Sequence, residues 1–111
     1  MKKNKLNILD CTLRDGGYYN NWYFKKDLIN EYLRVMDIIK VDYVEIGFRF
    51  LDKVKIKGPC AYSKESFLKS LKIPKNLKLG VMINAADFIN SYDMIALAKK
   101  VFKPKKFVFL F

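Results

Sequence analysis

Hydrophobic residues along the chain gather into two kinds of stretch. Four short apolar runs bounded by charge or turn residues predict strands: Leu6 to Asp10 (LNILD), Val41 to Phe48 (VDYVEIGF), Leu77 to Ile83 (LKLGVMI) and Phe107 to Phe111 (FVFLF). Between the first two, Leu28, Ile29, Tyr32, Leu33, Val35, Met36 and Ile39 recur at helical spacing, which predicts a helix from Lys26 to Ile39. Phe67, Leu68 and Leu71 share one face of a second, short helix opening near Ser63 and stopped by Pro74. Its Ser63-x-x-Ser66 start lacks the acidic partner of a capping box. Ile95, Ala98 and Val101 place a third helix over Ser91 to Val101, ended by Pro104. Arg14-Asp15-Gly16-Gly17 reads as a sharp turn, because glycine takes positive φ without penalty. The stretch from Arg49 to Ala61, broken by Gly58-Pro59, reads as an irregular basic connector.

The order is β-α-β-α-β-α-β, and strands this apolar suit a parallel sheet covered by helices. A (β/α)8 barrel spends about 250 residues on eight strand–helix units, and this chain holds about three and a half of them. The expected fold is therefore α/β, the N-terminal half of a (β/α)8 TIM barrel with about four parallel strands and three helices. Residues 1–111 are expected to be a partial, truncated catalytic domain, because the chain stops inside its most hydrophobic strand and half a barrel has two open edges. The competing architecture is a compact four-stranded flavodoxin-like sheet.

Composition narrows the chemistry. The 111 residues contain no histidine, so no Ser-His-Asp triad, Cys-His pair or histidine metal cluster can be built from this chain alone. An acid or base must be Asp, Glu, Lys, Tyr or Cys. The net charge of +11 comes almost wholly from lysine, with arginine only at 14, 34 and 49. Scattered lysines describe a solvated surface better than a phosphate reader, which leans on the planar fork of arginine. Nucleic acid is accordingly not the expected partner, although a basic nucleic-acid-associated module, or a non-catalytic truncated fragment, remains the alternative to an enzyme. Cys11 and Cys60 form no CxxC pair and read as reduced thiols. The lysine-rich start is followed by an apolar stretch too short for a secretory leader, and no run approaches a membrane span, so a cytoplasmic protein with no membrane partner is expected.

Asp10-Cys11-Thr12-Leu13-Arg14-Asp15-Gly16-Gly17 is the informative segment. It sets carboxylates and a guanidinium just past the end of strand 1, the end where parallel α/β folds bind ligands. A carboxylate there can hold a hard divalent cation, and a fixed arginine can stabilise an enolate oxygen as charge develops. On composition alone, a surface ion pair is the better account. Lys53, Lys55 and Lys57, in the connector after strand 2, could serve a phosphorylated or CoA-like substrate or be one face of a solvated hairpin.

Asp10 to Gly16 resembles the strand 1 signature of the DRE-TIM metallolyases, the group of hydroxymethylglutaryl-CoA lyase and 4-hydroxy-2-oxovalerate aldolase. Val44-Glu45-Ile46-Gly47-Phe48 resembles the strand 2 motif of that family, and Gly47-Phe48-Arg49 resembles its aldolase-type members. The resemblance implies carbon–carbon bond cleavage or formation through a metal-stabilised enolate of a small keto acid or hydroxy-keto acid. It implies Asp15 as a ligand to a divalent metal, Mg2+ or Mn2+, bound only in the complete barrel. Arg14 would hold the enolate and Glu45 would orient arginine, water or substrate, with Asp10 a supporting carboxylate. The family's histidine pair on strand 7 has no counterpart in this chain. Where the aldolases place a proton-transferring histidine, this chain has Tyr18, followed by Tyr19. Tyrosine is the poorer base at neutral pH, yet it can donate a hydrogen bond or relay a proton. Packing over the barrel mouth is the alternative role for Tyr18, Tyr19, Trp22 and Tyr23. The full-length parent could assemble as a homo-oligomer.

Overall fold

A computed structural model describes residues 6–51 and 56–84, together with the backbone of the strand at 107–110. In chain order the elements are β1 (Leu9–Asp10), α1 (Thr12–Asn20), α2 (Lys26–Ile38), β2 (Tyr43–Phe48), α3 (Pro59–Tyr62), α4 (Glu65–Lys69), β3 (Lys78–Met82) and β4 (Phe107–Leu110). The four strands form one parallel sheet in the order β1-β2-β3-β4, each beside its neighbour in sequence. The α/β class and all four expected strands are present, with shorter bounds. The expected third helix over 91–101 lies outside the described residues, as do Lys53 and Lys55.

The middle of the sheet carries the core. Val44, Ile46, Leu79 and Val81 are fully buried, as a central parallel strand covered on both faces requires. α2 starts where expected and turns Ile29 and Leu33 inward, both without exposure. Burying each such side chain is worth about 1.5–3 kcal/mol. Leu28, Val35 and Ile39, counted in the same apolar pattern, stay exposed.

Two local expectations need correction. Arg14-Asp15-Gly16-Gly17 is not a turn but lies inside α1. The reason is packing: a Cβ on Gly17 would sit 1.8 Å from the Trp22 ring, so glycine opens the helix surface to the indole. The chain turns later, where Asn21 and Trp22 both take the left-handed conformation (φ 55 and 61). The short helix expected from Ser63 opens later, at Glu65 (α4), and Ser63 instead ends a further helix, α3, just before it. It closes α3 with φ 44, donates its backbone N–H to the Pro59 carbonyl at 2.8 Å and its hydroxyl to the Cys60 carbonyl at 3.3 Å. With α1 and α3 added, four helices stand among the described residues where two were expected there.

One irregularity shapes β2. Tyr43, Val44 and Glu45 face Lys78, Leu79 and Gly80 of β3, but Gly47 then faces Val81, so Ile46 is an extra residue in the strand. Gly47 absorbs the bulge with φ +151, and a Cβ there would lie 1.9 Å from the Cys60 carbonyl oxygen.

Candidate functional site

The site is assembled where β1 ends and α1 begins. Asp10, the last residue of β1, accepts the backbone N–H of Thr12 at 3.0 Å and the phenol of Tyr32 from α2. One carboxylate thereby ties strand end, helix start and neighbouring helix together. Burial alone would raise the Asp10 carboxyl, but the hydrogen bonds from Tyr32 and Thr12 outweigh it and hold the group below its ordinary value. The same contact works the other way on Tyr32, whose phenol is pushed well above its usual range by burial first and by Asp10 second.

Arg14 lies in the first turn of α1 and reaches across to β2. Its Nε donates to Oε2 of Glu45, an ion pair between residues 31 positions apart. Glu45 is buried (2% exposed) and Arg14 partly so. The hydrogen bond and charge of Glu45 raise the guanidinium above its already high value, so Arg14 is permanently charged. Gripping Glu45 through Nε leaves the Nη fork the geometry to hold a second oxygen anion. The backbone of Arg14 is fixed as well: its carbonyl accepts the Trp22 indole N–H at 2.9 Å.

An aromatic wall stands beside this pair. Trp22 is buried and meets Phe48 and Phe50 edge-on at 5.4 and 5.6 Å, while Phe48 and Phe50 stack at 4.4 Å. Tyr18 leans on the same group, 4.8 Å from Trp22 and 6.1 Å from Phe48, with 63% of its surface still open. Tyr19 is almost wholly exposed and Tyr23 half so, so within that set packing falls to Trp22 and, in part, to Tyr18. Arg49, directly after β2, is half-buried; desolvation lowers its guanidinium, partly offset by the charge of Glu65.

The structure therefore brings together Arg14 and Glu45, and sets Tyr18 against Trp22 and Phe48. Asp15 is one residue beyond Arg14 on α1 and exposed. Among the described residues no group of three His, Cys, Asp or Glu side chains could hold a metal ion. Cys60 is fully buried, and burial pushes its thiol up to about 12, which keeps it protonated and non-nucleophilic. Cys11 caps α1 and is partly buried. Among the described residues no helix is long and apolar enough to cross a membrane. Sequence reading missed the Tyr32–Asp10 bond and the indole of Trp22 as the anchor of α1.

No protein-family model matches the chain. Over 78 residues it is 28% identical to an oxaloacetate decarboxylase of Mycobacterium tuberculosis, a match that spans 68% of this chain and 23% of that protein. The crystal structure of the N-terminal domain of a candidate aldolase from Bacteroides vulgatus superposes with a TM-score of 0.70 and 32% identity. That alignment covers 87% of this chain and 33% of the other. The chain is similar to aldolase- and decarboxylase-type proteins. It spans a third or less of the length of these two relatives.

Proposed function

We propose that Arg14 and Glu45 form the anion-holding part of an active site that makes or breaks a carbon–carbon bond beside a keto group. On this reading residues 1–111 are the N-terminal part of a (β/α)8 barrel of the DRE-TIM metallolyase type. The observation that carries it is the pair itself: a guanidinium opening α1, held by a buried carboxylate of the adjoining strand, at the ligand-binding end of a parallel sheet. Strand order supports the barrel, since a doubly wound sheet reverses direction at a switch point and β1-β2-β3-β4 does not. Similarity to a decarboxylase and to a candidate aldolase supports the reaction class.

Both reactions pass through one kind of intermediate. When the C3–C4 bond of a 2-keto acid breaks, its electron pair moves into the C2 carbonyl and an enolate oxygen forms. The departing carbon leaves as carbon dioxide in a decarboxylation. In a retro-aldol cleavage it leaves as an aldehyde, once a base has taken its hydroxyl proton. Arg14 Nη–H groups would meet the enolate oxygen, and Glu45, bound to Nε, would keep the guanidinium plane from turning. Tyr18, largely exposed on α1, would pass a proton to C3.

The described residues do not by themselves fit a divalent cation, which takes about six oxygen ligands. Asp15 would supply one ligand to Mg2+ or Mn2+ in a complete barrel, with the others from beyond this chain. The deciding experiment follows Mg2+- or Mn2+-dependent solvent-deuterium uptake at pyruvate C3 by the complete barrel. Arg14→Lys is expected to slow it by about 100-fold or more. Absence of exchange in the parent, with Asp15→Asn no different, removes the lyase reading. A downstream His-x-His pair after three further strand–helix units would join the barrel and metal expectations.

A further inference from the structure

Beside α3 and α4 lies an open cleft of about 400 Å3. Three aromatic residues line it, Tyr23, Tyr62 and Phe67, together with Lys57, Lys64 and Ser66. We infer that this cleft binds a small anion carrying a flat ring, of the nucleoside monophosphate kind. It shares no lining residue with the Arg14–Glu45 pair, and the inference does not depend on the lyase reading.

Three observations support it. Among the described residues the lining includes two lysines and no carboxylate, and lysine suits phosphate as a point charge. Aromatic faces take a base by stacking whatever its identity. The segments that carry the lining residues are already braced. Asn20 Nδ2 donates to the Tyr23 carbonyl at 2.7 Å, and Gly58 N–H donates to the Asn21 carbonyl at 2.8 Å. A Cβ at Gly58 would fall 2.1 Å from the Trp22 carbonyl oxygen, so the two segments are pressed together there. A braced cleft loses little entropy when a ligand arrives. The larger cleft, about 500 Å3 between α2 and the segment before β3, differs on each chemical count. It mixes Asp27 and Glu31 with Arg34 and Lys72 and, among the described residues, has no aromatic side chain in its lining.

Calorimetric and amide-NMR titrations of the 111-residue chain with adenosine 5′-monophosphate, ribose 5-phosphate and adenosine test the proposal. The monophosphate should bind about tenfold tighter than either other probe, shifting the amides of Tyr62, Lys64 and Ser66. Lys57→Gln with Lys64→Gln should weaken it by about tenfold, while Lys26→Gln with Lys75→Gln, removing equal charge from elsewhere, should leave it within about twofold. Equal affinity for ribose 5-phosphate would show that the rings are unused. Equal weakening by the control pair would show attraction to net charge alone. Either result, or failure to bind the monophosphate at all, overturns the proposal.

Discussion

Two arginine–glutamate ion pairs among the described residues have the same chemistry and opposite settings. Glu31 and Arg34 lie one turn apart on α2, bonded twice at 2.9 and 2.6 Å, with both side chains 59% exposed. Arg14 and Glu45 join two elements, and the carboxylate of Glu45 is buried. Water already satisfies the first pair when it separates, and salt screens it. The second has no such refuge, because a buried carboxylate without its partner must bear its own desolvation. Geometry alone would rank the helix pair higher. Burial and the elements joined decide which pair can organise a site.

The largest expected effect comes from breaking the buried pair from one side. Arg14→Ala should cost about 3–5 kcal/mol in urea denaturation, because Glu45 is left charged and buried. Replacing both partners, Arg14→Met with Glu45→Leu, should recover most of that loss. A single substitution no worse than Arg34→Ala would erase the distinction between the pairs. Gly47→Ala attacks the pair indirectly through the strand that carries Glu45. Its positive φ costs about 1–3 kcal/mol of backbone strain, apart from the clash with Cys60.

Tyr32→Phe should cost about 0.5–1.5 kcal/mol by removing the hydroxyl bonded to Asp10. It should also alter the acid limb of stability. The folded carboxyl of Asp10 lies below its ordinary 3.8, so its contribution is complete above that value and disappears as pH falls through the lower, folded one. Denaturation midpoints of the parent should therefore drop below about pH 4, and those of Tyr32→Phe should drop less. The smallest effect belongs to Arg34→Ala, which should leave the midpoint in 1 M salt unchanged within error.

These contrasts also show what the amino-acid sequence could and could not reveal. α2 was legible because its burial repeats at helical spacing, and β2 because it is a short, almost continuous buried run bounded by charge. Arg14 and Glu45 were each legible as chemistry, but nothing in a linear pattern says that residues 31 apart form an ion pair. Gly16-Gly17 misled for a physical reason: glycine signals backbone freedom, whereas Gly17 here supplies space beside an indole. Trp22 looked like loop packing and is instead the peg on which α1 hangs, at the expense of a left-handed backbone. Tyr32 lay on a helix face whose apolar spacing explained it fully, so its hydroxyl drew no notice. Ser63 was read through the cap it resembles and not through the left-handed turn it makes.

The bulge at Ile46 has a consequence for parity. Along a regular strand, residues three apart point to opposite sides, so Glu45 and Phe48 would belong to different faces of the sheet. One supernumerary residue restores them to the same side, and both meet α1 and its exit: Glu45 through Arg14, Phe48 through Tyr18 and Trp22. Deleting Ile46 would thus be no minor trimming of an apolar strand. It would exchange inside for outside from that point on, and either the charge or the ring would lose its place beside the helix.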